Sequence, residues 1–394
     1  MTAALTRFAP DYAVTINGTP IPAALRGAVT SIRYQDGTQA ADRVEIALAN
    51  QDLRWLQEHI RGLGFSMAPA PVRLGPVGGS GIPAGLFDLD NALSLAIGYA
   101  GGTLTEVFTG DLTGLTMSFP SGGLPTMTLV AHDHLQRLAR GTAARGFGPL
   151  PDFLIASIVA AENLIIPAID PTIVGASSAL AAVNYVFGGA GRKQRGQSDL
   201  QFLAEIADSY DADFWVDGDV LYLSRFLKEY TPRQTLTWGT SLLDFAPRIS
   251  TVGQVAGVSM KFTLREIPLD FLVSIFWDFD RECIGVSVVP GVAEAAGAPF
   301  SGPAFTIIDQ PISSPADIAT SAVKIYSALR RRLNSRLTGT ATAVGDPTIR
   351  AGAMVRLEGL GPDFSGDYRV ASATHTLDGS GYRTSFDVFK EILP

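Results

Sequence analysis

The stretch FTGDLTG at Phe108–Gly114 returns near the other end of the chain as FSGDYRV at Phe364–Val370. Each copy follows an alternating segment and a Gly-containing turn, NALSLAIGYAGGTLTEV before the first and AGAMVRLEGLGPD before the second. Each is followed by strand, turn and strand, with TMTLVAHD in the first surroundings and YRTSFDVF in the second. One short motif is a weak signal. Agreement on both sides is what two copies of one β-fold give when their loops have drifted in length. The expected fold is therefore mainly β (α+β): two antiparallel β-barrels of one kind with an inserted α+β/helical region. In this reading Phe108 and Phe364 anchor the same corner of each barrel, and Gly110 and Gly366 permit its bend.

A chain of 394 residues exceeds one ordinary core, and three regions can be told apart. The first barrel domain spans 1–143. Asn17-Gly18 and Asp36-Gly37 read as hairpin turns, because both central residues of such a turn need positive φ. Alternation of Thr30, Ile32 and Tyr34, then Val44, Ile46 and Leu48, marks half-buried strands. Residues 51–60 read as a short helix, and the Gly/Pro-dense 61–87 as a long loop.

Residues 144–230 form an α+β middle domain. An apolar helix is predicted over 152–165, followed by a Pro/Gly-rich connection. Ser198 and Gln201 then form a capping box at a second helix start, with Leu200, Leu203, Ala204 and Ala207 on one stripe. Asp217-Gly218 turns a hairpin behind it. The second barrel domain spans 231–394 and carries a helix at about 314–336. There Ser314 caps, Pro315 fits the first turn, and Ile318, Ala322, Ile325 and Leu329 share a face. Asp378-Gly379 marks the last hairpin.

The net charge of −8 argues against gripping nucleic acid, which needs clustered Lys and Arg. It suits a surface past which DNA slides. Cys283 stands alone, so no disulfide framework exists within the chain. The N-terminal MTAALTRFAP lacks a signal-peptide core, and no run reaches the ~18 apolar residues of a membrane helix. The chain is expected to be made and folded in a cytoplasm, with no membrane partner.

Candidate chemistry is sparse. Of His59, His132, His134 and His375, the pair His132 and His134 share one side of a predicted strand, as two zinc ligands would. No third ligand accompanies them, and polar strand residues are the preferred reading. Asp278 and Asp280 share a strand face opposite Trp277 and Phe279, a spacing compatible with glycosidic cleavage. An acidic, lumen-lining face fits that spacing better. Arg330, Arg331, Arg332 and Arg336 close the last helix, where cations are favoured by ~0.3–1 kcal/mol. They also offer a contact to an acidic neighbour subunit. No nucleophile elbow, phosphate loop or dinucleotide fingerprint is present. No catalytic, cofactor-binding or metal residue is assigned, and the chain is read as not an enzyme.

Four stretches resemble the bacteriophage late-control D family, tail-baseplate hubs related to the hub part of VgrG proteins. They are GAVTSIRYQDGTQAADRVEIALANQDLRWL, GQSDLQFLAEIADSYDADFWVDGDVLYLSRF, TLTWGTSLLDFAPRIS and GDPTIRAGAMVRLEGLGPDFSGDYRVASATHTLDGSGYRTSFDVF. The last is the most specific. The resemblance implies tail-tube-like barrels and a homotrimer whose six barrels adapt a hexameric tail tube to a trimeric spike. It also implies other baseplate partners, DNA passing through the lumen, and a virion location after assembly in the host. No spike or lysozyme segment follows the second barrel, so a separate spike protein is expected. The competing reading is a tail-associated cell-wall hydrolase using Asp278 and Asp280.

Overall fold

The computed structural model describes residues 9–38, 40–51, 85–186, 191–224, 230–250, 257–264, 270–278, 281, 283–290, 304–312 and 315–392. Nearly all of the expected 51–60 helix and of the 61–87 loop, with His59, Phe279, Asp280 and Ser314, lie outside these residues.

The N-terminal region contains β1 (Pro10–Ile16), β2 (Thr19–Pro20), the one-turn α1 (Ala23–Arg26), β3 (Val29–Gly37), β4 (Arg43–Ala49), β5 (Ala92–Tyr99), β6 (Thr105–Ser118) and β7 (Thr126–Asp133). Period-two patterning places Val44, Ile46 and Leu48 of β4 in the core with Leu93, Leu95 and Leu129. Asn17 and Gly18 both have positive φ, 51° and 74°, and turn the β1–β2 hairpin. Asp36-Gly37 does not turn. It extends β3, because the Asp36 side chain is held by partners from the far end of the chain.

The middle region runs α2 (Leu135–Leu138), β8 (Ala143–Gly146), α3 (Asp152–Glu162), β9 (Ile166–Ile169), α4 (Pro171–Val186), β10 (Lys193–Gln197), α5 (Asp199–Ser209), β11 (Asp213–Asp217) and β12 (Val220–Ser224). The Ser198–Gln201 capping box forms at the start of α5. Phe202, Leu203, Ile206 and Ala207 enter the core there, while Leu200 and Ala204 pack at its margin. The Pro/Gly-rich connection expected after residue 165 in fact holds β9 and then α4. Asp170 caps it by accepting from the Thr172 amide at 2.9 Å, and Pro171 occupies the first turn, where its missing N–H costs nothing.

The C-terminal region comprises β13 (Gln234–Thr237), β14 (Leu242–Ile249), β15 (Gly257–Leu264), β16 (Asp270–Asp278), β17 (Cys283–Pro290), β18 (Ala304–Ile312), α6 (Pro315–Asn334), β19 (Leu337–Val344), β20 (Met354–Glu358), α7 (Gly361–Phe364), β21 (Gly366–Asp378) and β22 (Gly381–Phe389). Strands β15–β18 form their own four-stranded sheet in the order β17-β16-β15-β18. Val258, Met260 and Ile275 of that sheet bury Ile325, Leu329 and Leu333 of α6. This separate α/β layer interrupts the region expected to be one barrel.

The remaining strands of both ends make one 13-stranded sheet. Its path is β14-β19-β22-β21-β3-β4-β7-β6-β5-β1-β2, with β20 on β21 and β13 on β20. No closed barrel is detected among the described strands. The two halves nevertheless repeat one another. The N-terminal half reads β5-β6-β7-β4-β3 and the C-terminal half β20-β21-β22-β19-β14, every neighbouring pair antiparallel. The pair at the end differs, β1 running antiparallel to β5 and β13 parallel to β20.

Registers agree as well. Ile32 faces Ile46, which faces Leu129; in the other half Phe245 faces Ala341, which faces Phe386. A β-bulge admits Thr30 in β3 and Leu243 in β14; another admits Thr113 in β6 and Ala371 in β21. Bulges mark fixed points in a ladder, and these equate Leu112 with Val370. The first copy of the recurring phrase thus lies on β6, while the second begins in α7 and enters the equivalent strand β21 only at Gly366, which corresponds to Phe108.

Candidate functional site

The two halves meet where β3 pairs with the outer part of β21, Tyr34 opposite His375 and Asp36 opposite Ala373. The Tyr34 and His375 rings stack at 5.5 Å and 17°. Tyr34 donates its hydroxyl to Asp42 Oδ2 at 2.6 Å. Asp36 Oδ2 accepts from Arg350 Nε at 2.6 Å and from the Ala351 amide at 2.9 Å. The Arg350 guanidinium lies over the Tyr34 ring and 3.7 Å from Asp42. His375 Nε2 lies 3.0 Å from the Ile349 carbonyl, which can only accept, so Nε2 carries the proton. Nδ1 then accepts from the Tyr382 hydroxyl at 2.8 Å. A further bridge joins the halves where Tyr99 donates its hydroxyl to the Gly345 carbonyl at 2.9 Å.

Burial controls the charges. It pushes Asp133 up to about 7 and, with Asp36 and Asp133 nearby, raises Asp42 well above the usual carboxylate range. Burial likewise lowers His375 to about 4, so the ring is neutral at physiological pH. Arg350 stays charged beside Asp36 and Asp42. A cleft of about 570 Å³ opens beside this junction, between both halves and the middle region. Asp36, Asp42, Asp133, Asp170, Asp213 and Asp217 line it, with Arg233 and Arg350.

A second polar junction ties the first half to the middle region. Asp111 takes a two-pronged bond from Arg137, Nε at 2.8 Å and Nη2 at 2.9 Å. His134 lies between Asp111, 3.5 Å away, and Asp219, 2.9 Å away. Burial alone would raise the Asp111 carboxyl, but the bonds from His134 and Arg137 outweigh it and hold it well below the usual range.

The sequence-predicted residues disperse. The strand ends at Asp133, so His134 sits at the entry of α2 and does not share a strand face with His132. His132 pairs with Thr113 at 2.6 Å. Among the described residues, no group of three His, Cys, Asp or Glu converges as a metal would require. Asp278 ends β16 and accepts from the Arg281 amide, while Trp277 packs toward α6. Arg330 and Arg331 bond Asp211 and Asp208 of the same chain at 3.0 and 3.2 Å.

The two Phe-x-Gly-Asp copies do not build one corner. Phe108 is buried within β6, and Gly110 is obligatory there because a Cβ would lie 2.1 Å from the His132 carbonyl oxygen. Phe364 is half-buried in α7, and Gly366 takes φ +138° at the start of β21. The Asp of each copy does pair with an arginine, Asp111 with Arg137 and Asp367 with Arg356.

Sequence reading missed Tyr34, Asp36, Asp42, Asp133 and Arg350. The available signal was Asp36 itself, an acid on a strand whose flanking alternation continues through it. Chemically, the junction holds its own groups: both His375 nitrogens are bonded, and Tyr34 is committed to Asp42. Such a network fixes the relation of the two halves; it presents no nucleophile–base pair among the described residues.

The same arrangement of strands recurs in solved proteins. The 43 kDa tail protein of prophage MuSo2 from Shewanella oneidensis superposes with a TM-score of 0.61 at 13% identity, covering 96% of this chain and 98% of that one. The tail protein from Neisseria meningitidis MC58 gives 0.61 at 12% identity, covering 97% of each. This chain has the fold of a phage tail protein. The superposition takes in nearly all of this chain, so the middle region and the β15–β18 layer belong to that fold. No family model and no curated protein sequence matches this chain.

Proposed function

We propose that this chain is a non-enzymatic baseplate hub of the late-control D type. It forms a homotrimer in which each chain supplies two tail-tube-like barrel units, divided as 1–143 and 231–394 with 144–230 between. Six like units around a three-fold axis match a hexameric tail tube on one face and a trimeric spike on the other. Other baseplate proteins bind outside, and DNA passes an acidic lumen that repels it. The protein resides in the virion tail after assembly in the host.

The observation that carries this reading is the repeated ladder: five strands in one order, with two bulges at matching positions, at both ends of one chain. Such a duplication gives three chains a six-fold outline. The tail-protein fold supports the same setting. The test is the mass of the purified protein followed by imaging down its axis. Three chains and six similar lobes are expected; a two- or four-chain particle overturns the reading.

A further inference from the structure

The duplication leaves one junction made and one unmade. Within the chain, β3 of the first half pairs with the outer part of β21, from Ser372↔Gly37 to Leu377↔Ile32. The counterpart of β21 is β6, and the counterpart of β3 is β14, as the shared bulges fix. Yet β6 pairs with β5 only from Thr105 to Asp111, and Leu112 meets Asn91 and Asp90. Beyond that point, among the described residues, its edge on the β5 side has no strand beside it. Among the described strands, β14 likewise has a neighbour, β19, on one side only.

Side chains on these edges register the missing neighbour. In β21 Ala373, His375 and Leu377 are buried. Their counterparts Leu115 and Met117 are half-buried, and Phe119 is 61% exposed. On β14, Ile249 is 58% exposed. Uncharged apolar residues along an open strand edge invite pairing with another chain.

We propose that β14 of one copy pairs antiparallel with β6 of a second copy, in the register that β3 and β21 use within the chain. This deepens the hub reading and rests on it for the number of copies. Transferring the register residue by residue puts Ile249 opposite Leu115, Pro247 opposite Met117, Ala246 opposite Ser118 and Phe245 opposite Phe119. Ile249 and Phe119, the two most exposed apolar side chains of these edges, then each meet an apolar partner. The contact is heterologous, edge β14 to edge β6, so it propagates around an axis, and it closes into a ring of three when each step turns by a third of a circle, as the hub reading requires. Each ring junction has the same geometry, alternately within and between chains.

Pro247 fits this scheme at a cost. Ser250 donates its amide to the Arg336 carbonyl on the β19 side, so by strand alternation residue 247 turns its nitrogen outward. Proline has no hydrogen there, and the intersubunit ladder lacks one bond. The same gap discourages unregistered pairing of the free edge.

The test uses the full chain with Cys283, exposed in the structure, changed to Ser. Ser118→Cys and Ala246→Cys are introduced together. Both sites are exposed in the single chain, and they fall at a non-hydrogen-bonded pair, where side chains lie closest. Mild oxidation is expected to yield covalent dimers and trimers on a non-reducing gel. Either single variant, and Ser118→Cys with Arg248→Cys, is expected to yield few. Separately, Phe119→Asp should leave the chain folded and shift its native mass to one copy. A trimeric mass with no Ser118–Ala246 cross-link overturns the pairing while leaving the hub reading intact. The specific cross-link in a particle of another copy number supports the pairing and overturns the threefold reading.

Discussion

Asp36 and Arg350 stand 314 positions apart in the chain and 2.6 Å apart in space. Their bond closes the seam between the two repeated halves. Arg350 faces Asp42 as well, so one cation serves two carboxylates in a half-enclosed setting. Removing it leaves them uncompensated, which costs far more than the pair contributes when intact.

Arg350→Met is therefore expected to lower unfolding free energy by about 2–4 kcal/mol. Adding Asp36→Asn to that variant should recover part of the loss, because the two residues act through one contact. Urea unfolding of the wild type, both single variants and the double variant measures the coupling. Additive effects would show that the seam is not held through this pair.

Stability should also depend on the carboxylate at Asp133. Its folded pKa of about 7 lies above the ordinary value of 3.8, so the folded chain holds a proton that the unfolded chain releases between those values. Its contribution is full below pH 4, declines as pH rises, and is gone above pH 7. Asp133→Asn removes that decline, since Asn still offers an oxygen to the Leu135 amide. The variant should exceed wild type by about 2–4 kcal/mol at pH 8 and match it near pH 4. His375 works in the opposite sense. Lowered to about 4, it contributes fully above its unfolded value near 6.5 and loses that contribution as pH falls through 4. The difference between Asp133→Asn and wild type isolates the first effect; a difference independent of pH would refute it.

The two glycines of the recurring phrase should fail differently. At Gly110 an added methyl collides with backbone, so Gly110→Ala is expected to cost about 2–3 kcal/mol or prevent folding. At Gly366 the space is open and only the backbone angle objects, so Gly366→Ala should cost about 1–2 kcal/mol. Thermal unfolding compares them. Equal losses would argue that one shared corner governs both.

The duplication was legible in sequence because bulk alternation and turn residues are local. FTGD lies on β6, and the Gly-Asp of FSGD opens the equivalent strand β21. Their alignment was off because a bulge leaves no composition signal: Thr113 and Ala371 are ordinary strand residues. α4 was missed because Pro171 and Gly175 read as breakers, although Pro at a first turn and a capping Asp170 start a helix. The acidic junction was hidden for a different reason. Its members come from β3, the connection before β4, the end of β7, the turn after β19 and β21, and no local window contains a contact spanning hundreds of residues. Asp36-Gly37 looked like a turn since its alternative partner, Arg350, was out of view.

The most direct test is the native mass of the purified full chain by light scattering after size exclusion. A value of three times the 41.6 kDa chain mass is predicted. A particle of one, two or four chains would contradict the account.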